Sequence, residues 1–241
     1  MPFRMGSVPS VVPYPPLEPP PSRVSFPDPR TLGATDLVAI GADFSAGTYV
    51  AAFRRGIFPW PVNSRLVPWV SPRERAIFPL DEEPVFSRSM RRILRKREYE
   101  ITLDQAFEQV VRACGEERAE GTWIVPEMAA LYRELHRLGI ARSLEVWGRE
   151  PGRPLIGGIF GIAMGAAFSG ESMFHRRTNA SKIAFAELAM CLRRCGFQLF
   201  DVQVMSEHLA SLGCVPIPRA EYIERLEKAL ATPARLTLEG A

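Results

Sequence analysis

Histidine and cysteine are scarce in this sequence, with three His and four Cys among 241 residues. His136, His175 and His208 lack any spacing of the H-E-x-x-H kind, and no C-x-x-C pair occurs, so metal-dependent chemistry is not expected and no cofactor is called for. Cys191 and Cys195 lie four apart on an expected helix, with His208 and Cys214 beyond them. A zinc site is the alternative to reading these cysteines as small buried hydrophobes. Four scattered cysteines do not make a disulfide framework, which agrees with a reducing, cytoplasmic setting. A charged leader followed by an apolar core is also missing, so no secretory signal is expected. The longest uncharged run, Leu155 to Gly170, falls short of the ~20 residues that a membrane-spanning helix needs. It is broken by Gly157, Gly158, Gly161 and Gly165 and reads as strands; no membrane association is expected. Within it, Gly157-Gly158-Ile159-Phe160-Gly161 does not match the G-x-G-x-x-G phosphate loop, and glycine in a strand marks a bulge or a close approach. No Ser/His/Asp arrangement stands out, and no internal repeat is present.

What is present is an ordinary globular composition, 46% hydrophobic and 24% charged, in a length that allows one large domain or two small ones. The net charge of +3 is too small to argue for nucleic acid, but its distribution is uneven. Between Ser87 and Arg97 stand Arg88, Arg91, Arg92, Arg95, Lys96 and Arg97, while Met90, Ile93 and Leu94 form one apolar helical stripe. This predicts a docked helix with a cationic outer face: a solvated surface or, given an RNA partner, a phosphate-binding one.

Ten of the 22 prolines fall in the first 29 residues, so residues 1–25 are expected to be an extended or disordered leader. Residues 26–78 are expected to form a small N-terminal domain. In it Ser45 caps a helix that Gly56 stops, and Ile57 to Pro72, holding Phe58, Trp60 and Trp69 among its prolines, reads as a rigid aromatic loop. Residues 79–228 are expected to form a mixed α/β (α+β) domain, and 229–241 a flexible tail. The expected elements are the basic helix 87–97, a strand Tyr99 to Leu103, and helices from Asp104 to about Arg118 and from Pro126 to Gly139. Strands Ser143 to Trp147, Leu155 to Ala163 and Ala166 to Phe174 follow, then a helix from Asn179 to Gly196, a strand Gln198 to Val204 and a short helix from Ser206 to Gly213.

Two of these strands carry polar residues where apolar ones are expected: Ser169-Gly170-Glu171-Ser172 and Asp201-Val202-Gln203. Alternation puts Asp201 and Gln203 on one face, opposite Phe200, Val202 and Val204. An acid and an amide side by side in a strand must be solvated or mutually satisfied, because a buried unpaired carboxylate is costly. The pattern suits either a functional site or a structural hydrogen-bond network.

Taken in order, several segments resemble the leucyl/phenylalanyl-tRNA-protein transferase family from roughly Phe26 to Arg225. They include Gly41-Ala42-Asp43-Phe44-Ser45, Arg55-Gly56-Ile57-Phe58-Pro59-Trp60, Trp69-Val70-Ser71-Pro72, Gly121-Thr122-Trp123-Ile124, Gly170-Glu171-Ser172-Met173-Phe174, Asn179-Ala180-Ser181-Lys182 and Asp201-Val202-Gln203. The resemblance implies a small N-terminal domain followed by a domain similar to the Gcn5-related N-acetyltransferase fold. It implies transfer of Leu, Phe and Met from aminoacyl-tRNA to acceptor proteins with N-terminal Lys or Arg, which marks them for degradation. Carried over by motif, Trp60 and Trp123 would hold the terminal adenosine, and Phe168 and Met173 would line the side-chain pocket, with Ile159, Phe185 and Leu188 in the same region. Glu171, Asp201 and Gln203 would form the polar centre, with Asp201 accepting or polarising the amine proton through Gln203. The helix bearing Arg88, Arg91, Arg92, Arg95 and Lys96 would contact tRNA. Ser206 stands where relatives commonly carry Asn, which implies a shorter or water-relayed hydrogen bond to substrate. The turn Arg176-Arg177-Thr178-Asn179-Ala180 lacks the glycines of an acetyl-CoA pyrophosphate loop. An acyl-CoA transferase and a noncatalytic module that binds tRNA ends or protein N-termini are the competing readings.

Overall fold

Residues 12–116 and 123–238 are described by the computed structural model of the protein. As expected, the Ser45 hydroxyl caps the first helix, α1 (Ala46–Phe53), by accepting from Thr48 N at 3.3 Å, and Gly56 beyond its end takes a left-handed φ of +74°. The stretch after it departs from the expected loop. Phe58–Pro59 (β2) and Val67–Val70 (β3) pair antiparallel, and Leu37–Gly41 (β1) lies along the other edge of β3. The prolines suggested a loop because each removes a donor. Here the Pro68 carbonyl accepts from Trp60 N at 2.7 Å, so the N–H that Pro68 lacks would face only the two-residue edge strand, and little pairing is lost.

The remaining strands form one seven-stranded sheet. In chain order they are β4 (Glu74–Phe78), β5 (Tyr99–Leu103), β6 (Ala141–Gly148), β7 (Leu155–Met164), β8 (Ala167–His175), β9 (Leu199–Gln203) and β10 (Val215–Pro218). Their order across the sheet is β10-β4-β9-β8-β7-β6-β5, antiparallel except for the β8–β9 pair. Strand β4 therefore lies in the large sheet although its residues fall inside the expected N-terminal module; pairing with two distant strands decides its place. The helices are α2 (Arg88–Lys96), α3 (Phe107–Glu116), α4 (Pro126–Arg137), α5 (Ala180–Arg194), α6 (Glu207–Ser211) and α7 (Arg219–Ala231). The C-terminal end expected for α3, near Arg118, lies outside the described residues.

Alternation along β7 divides the core. Phe160, Ile162 and Met164 meet residues of α1, α3, α4 and α7 on one face, while Ile159 and Ala163, joined by Ile156 from an irregularity in the pairing with β6, meet α2 and α5 on the other. The glycines of β7 mark close approach, as expected. A Cβ on Gly157 would stand 2.7 Å from that of Ala180 at the start of α5, and one on Gly161 would stand 2.2 Å from the Ser169 carbonyl.

From Val12 to Asp28 the proline-rich leader forms neither helix nor strand, and it is tied to the body. Leu17 N donates to Leu138 O at 2.8 Å, the Ser22 and Thr48 hydroxyls lie 2.9 Å apart, and Phe26 is buried against Trp69. As far as Leu238 the tail is likewise packed: α7 runs to Ala231, Leu236 is buried, and the Cys191 and Cys195 thiols meet the Thr237 carbonyl at 2.9 and 3.3 Å. Burial of a few apolar residues outweighs the polar, proline-rich composition that suggested freedom.

Candidate active site

Strands β8 and β9 pair in parallel for three steps, the last at Ser169–Asp201, and then part: β8 continues along β7, and β9 stays with β4. Both carry a bulge where they part. Glu171 has no partner between the pairs Phe160–Ser172 and Gly161–Gly170, and Val202 has none between Ile77–Asp201 and Ala76–Gln203. Bulges re-aim side chains and concentrate near active sites. Here they bring Glu171 and Gln203 together across the opening, with Gln203 Nε2 donating to Glu171 Oε1 at 3.0 Å.

Asp201 is 1% exposed and receives five donors. Arg75 Nε and Nη2 reach Oδ1 and Oδ2 at 2.8 and 2.6 Å, Ser169 Oγ and Tyr222 OH reach Oδ2 at 2.8 and 3.0 Å, and Gln203 N reaches Oδ1 at 2.8 Å. A carboxylate offers about four lone-pair directions, so Asp201 has no free one with which to take a proton from an incoming amine. Its geometry is that of an anchor. Burial alone would lower the Arg75 pKa, but the charge and hydrogen bonds of Asp201 together with Tyr222 and Glu171 outweigh it and hold it above the ordinary guanidinium range. Burial pushes the Tyr222 phenol up.

Glu171, 9% exposed, accepts from Tyr49 OH at 2.8 Å and Tyr132 OH at 2.6 Å as well as from Gln203. Burial raises its pKa despite these donors, and raises both tyrosines well above the ordinary phenol value. Gln203 takes a left-handed φ of +67°, uncommon outside glycine, with its N–H tied to Asp201. Its side-chain oxygen accepts no hydrogen bond from the described residues, and the residue is half-buried. Among the described residues Gln203 thus keeps an open acceptor, and Glu171, with three donors, keeps one lone-pair direction.

The two tryptophans flank this centre through aromatic neighbours. Trp60, 50% exposed, packs its ring 6.1 Å from Phe58, whose face lies 4.4 Å under the Arg75 guanidinium. Trp123 meets the edge of Tyr132 at 6.3 Å. Gly121 and Thr122, in the same motif as Trp123, lie outside the described residues. Phe168, Ile159, Phe185 and Leu188 are buried in one apolar cluster between the sheet and α5, with Phe168 against Phe200 at 5.7 Å. Met173 sits at the margin of that cluster, across from Ile159 on β7. The Ser206 hydroxyl caps α6 by accepting from Leu209 N at 3.2 Å.

Helix α2 docks through Met90 and leaves Arg88, Arg91, Arg92, Arg95 and Lys96 exposed. The four arginines make no ion pair among the described residues, while Lys96 meets Glu98 at 3.3 Å. Grooves run along both sides of the helix. One, of about 640 Å³, is lined by Arg91, Arg95, Arg193 and Arg194 with Glu83, Phe86 and Met190; the other, of about 920 Å³, by Arg92, Lys96, Glu98, Asn179 and Arg177, which pairs with Glu150.

The cysteines considered for zinc lie elsewhere than this centre. Cys191 and Cys195 hold the tail, and burial pushes Cys191 and Cys214 up to about 12. Among the described residues no three His, Cys, Asp or Glu side chains are grouped as metal ligands. The residues that sequence reasoning missed are Arg75, Tyr222, Tyr49 and Tyr132. Arg75 ends a run of three charges, Arg73-Glu74-Arg75, ahead of Ala76-Ile77-Phe78, so nothing marked it out from its neighbours. The tyrosines sit at ordinary apolar positions of helices and had no signal either.

Residues 77–227 match the model of the family described as leucyl/phenylalanyl-tRNA protein transferase. A leucyl/phenylalanyl-tRNA--protein transferase of an Anaeromyxobacter strain is 45% identical over 223 residues, 91% of this chain and 92% of the relative. One from Pseudoalteromonas atlantica is 43% identical over 199 residues, 82% and 83% of the two chains. Among solved structures, "The structure of L-PGS from Bacillus licheniformis" aligns with a TM-score of 0.41 at 14% identity, covering 63% of this chain and 49% of that one. With its family model, long relatives at this identity and the polar centre its motifs assemble, the chain belongs to the leucyl/phenylalanyl-tRNA protein transferases, a family of aminoacyltransferases.

Proposed function

We propose that this protein moves leucyl, phenylalanyl and methionyl groups from aminoacyl-tRNA to the N-terminal Lys or Arg of acceptor proteins in the cytoplasm, marking them for degradation. The observation that carries the reading is the junction of Glu171, Gln203 and Asp201 where β8 and β9 part, between the segments that hold Trp60 and Trp123. The parting parallel strands, with α5 between them in the chain, support assigning the second domain to the Gcn5-related N-acetyltransferase type. Residues 26–78 supply Trp60 and Tyr49 to it.

In the proposed reaction the acceptor α-amine attacks the aminoacyl ester carbonyl, an amide forms, and the ribose oxygen leaves with a proton. The ester already supplies the driving force, so the protein's work is to orient the two reactants and to keep the amine neutral. The free Gln203 carbonyl accepts an amine N–H and turns the nitrogen lone pair toward the ester. Asp201 fixes Gln203 through its backbone N–H, and Glu171 fixes the amide end. Trp60 and Trp123 are assigned to the terminal adenosine, and Phe168, Met173, Ile159, Phe185 and Leu188 to the pocket for the aminoacyl side chain. Ser206 is assigned to α6 capping rather than to the substrate. The arginines of α2, with Arg177, Arg193 and Arg194 across the grooves, suit tRNA phosphates.

The test is incubation with phenylalanyl-tRNA and a peptide beginning with Arg, followed by mass measurement of the peptide. Gain of one phenylalanyl residue from tRNA, and none from acyl-CoA, is expected. Acylation by acyl-CoA alone would mark a CoA enzyme. No gain from either donor would leave a binding module.

A further inference from the structure

Arg75 lies outside the segments that carry the family resemblance, yet it holds Asp201 directly. Its guanidinium, 3% exposed, forks onto both oxygens of Asp201 and donates from Nη1 to Gly56 O at 3.3 Å. It lies between the rings of Phe58 and Tyr222, 4.4 and 4.5 Å from their centroids. One planar group thereby spans β4, β9, α7 and the turn from Gly56 to Trp60. A buried ion pair seldom stabilises a fold more than apolar groups of the same volume, so its value here lies in the geometry it fixes. A fork locks the plane of the Asp201 carboxylate, and Oδ1 of that carboxylate holds Gln203 N in its left-handed conformation.

Resting on the transferase reading above, we propose that Arg75 is a positioning residue, holding Gln203 and the segment that carries Trp60 in one frame, so that amine and adenosine meet in register. Arg75 reaches Gln203 through Asp201 and reaches Trp60 through Gly56 and Phe58.

Arg75→Lys keeps the charge and loses the fork and the flat stacking surface. Single-turnover transfer from saturating phenylalanyl-tRNA should fall by about 10²-fold, the cost of a misplacement near 1 Å. The double variant Arg75→Lys/Gln203→Ala should transfer no more slowly than Gln203→Ala alone, because residues acting as one unit are not additive. Arg75→Lys should also weaken donor binding in the wild-type background but not in Trp60→Ala. Wild-type transfer by folded Arg75→Lys, or losses that multiply in the double variant, would overturn the proposal while leaving the Gln203 site intact. Wild-type transfer by Gln203→Ala would instead remove the site reading, and this proposal with it. Should Arg75→Lys not fold, the neutral pair Arg75→Gln/Asp201→Asn carries the same cycle. Failure of both to fold would overturn the proposal and mark Arg75 as a folding residue.

Discussion

Asp201→Asn keeps the size of the side chain but removes the charge that pairs two guanidinium nitrogens of Arg75, Nε and Nη2. With Arg75 and Asp201 3% and 1% exposed, solvent cannot take the place of the lost carboxylate. The new amide also sets a donor where Arg75, Ser169 and Tyr222 already donate. Breaking a buried pair by removing one partner costs about 3–5 kcal/mol. At roughly 2–4 °C per kcal/mol for a chain of this size, the melting temperature should fall by about 6–20 °C. Arg75→Gln/Asp201→Asn, which removes both charges, should recover most of that loss. Circular dichroism melts of the wild type, the single variant and the pair at pH 7 check this. Transfer, measured well below each midpoint, should be impaired in both variants, because the anchor of Gln203 has changed in each. A single variant melting within about 2 °C of wild type, less than 1 kcal/mol on that scale, would refute the reasoning, since Asp201 would then not be serving a buried cation.

The apolar cluster of Phe168, Ile159, Phe185 and Leu188, assigned as the side-chain pocket, should admit Leu, Met and Phe and disfavour the β-branched Ile and Val by about 10- to 200-fold; equal transfer of Ile and Leu from matched tRNAs would rule out such a pocket. Replacing Arg91, Arg92 and Arg95 with Ala should reduce the salt dependence of tRNA binding by about 0.7–0.9 log unit of slope for each phosphate no longer neutralised, while sparing a minimal aminoacyl-adenosine donor. An unchanged slope would make α2 a solvated face. Glu145, buried beneath Thr102 and Ser143, has its pKa raised by burial from 4.5 to about 7. A raised folded value means that stability is full below the unfolded pKa and is lost as pH rises through 7. The shift of 7 − 4.5 corresponds to about 3 kcal/mol. Melting temperature should therefore decline from pH 5 to 8, and Glu145→Gln should flatten that decline; an unaltered decline in the variant would remove Glu145 as its cause.

Elements with regular periodicity and a capping residue were legible: α1 behind Ser45, α2 behind Ser87, and α5 all occupy the residues the pattern assigns them. Short strands divided: β5 at Tyr99–Leu103 and β9 at Leu199–Gln203 lie where the pattern assigns them, but others do not. β2 and β3 hold prolines, and β4 and β10 become strands only by pairing with distant partners; period-2 alternation over four or five residues carries too little signal to reveal this. The polar face of Asp201 and Gln203 was legible because alternation in a buried strand makes such residues conspicuous. The division of labour between them was not. It depends on Arg75, 126 positions away in the chain, and on a left-handed backbone at Gln203 that the alternation rule does not anticipate.

The most direct test of the account is single-turnover transfer by Gln203→Ala at saturating phenylalanyl-tRNA, with donor binding measured alongside. If the Gln203 carbonyl holds the attacking amine, donor affinity should match wild type while the transfer step slows by about 10²-fold or more. Wild-type transfer by the folded variant would contradict the account and place the amine's acceptor elsewhere in the cleft.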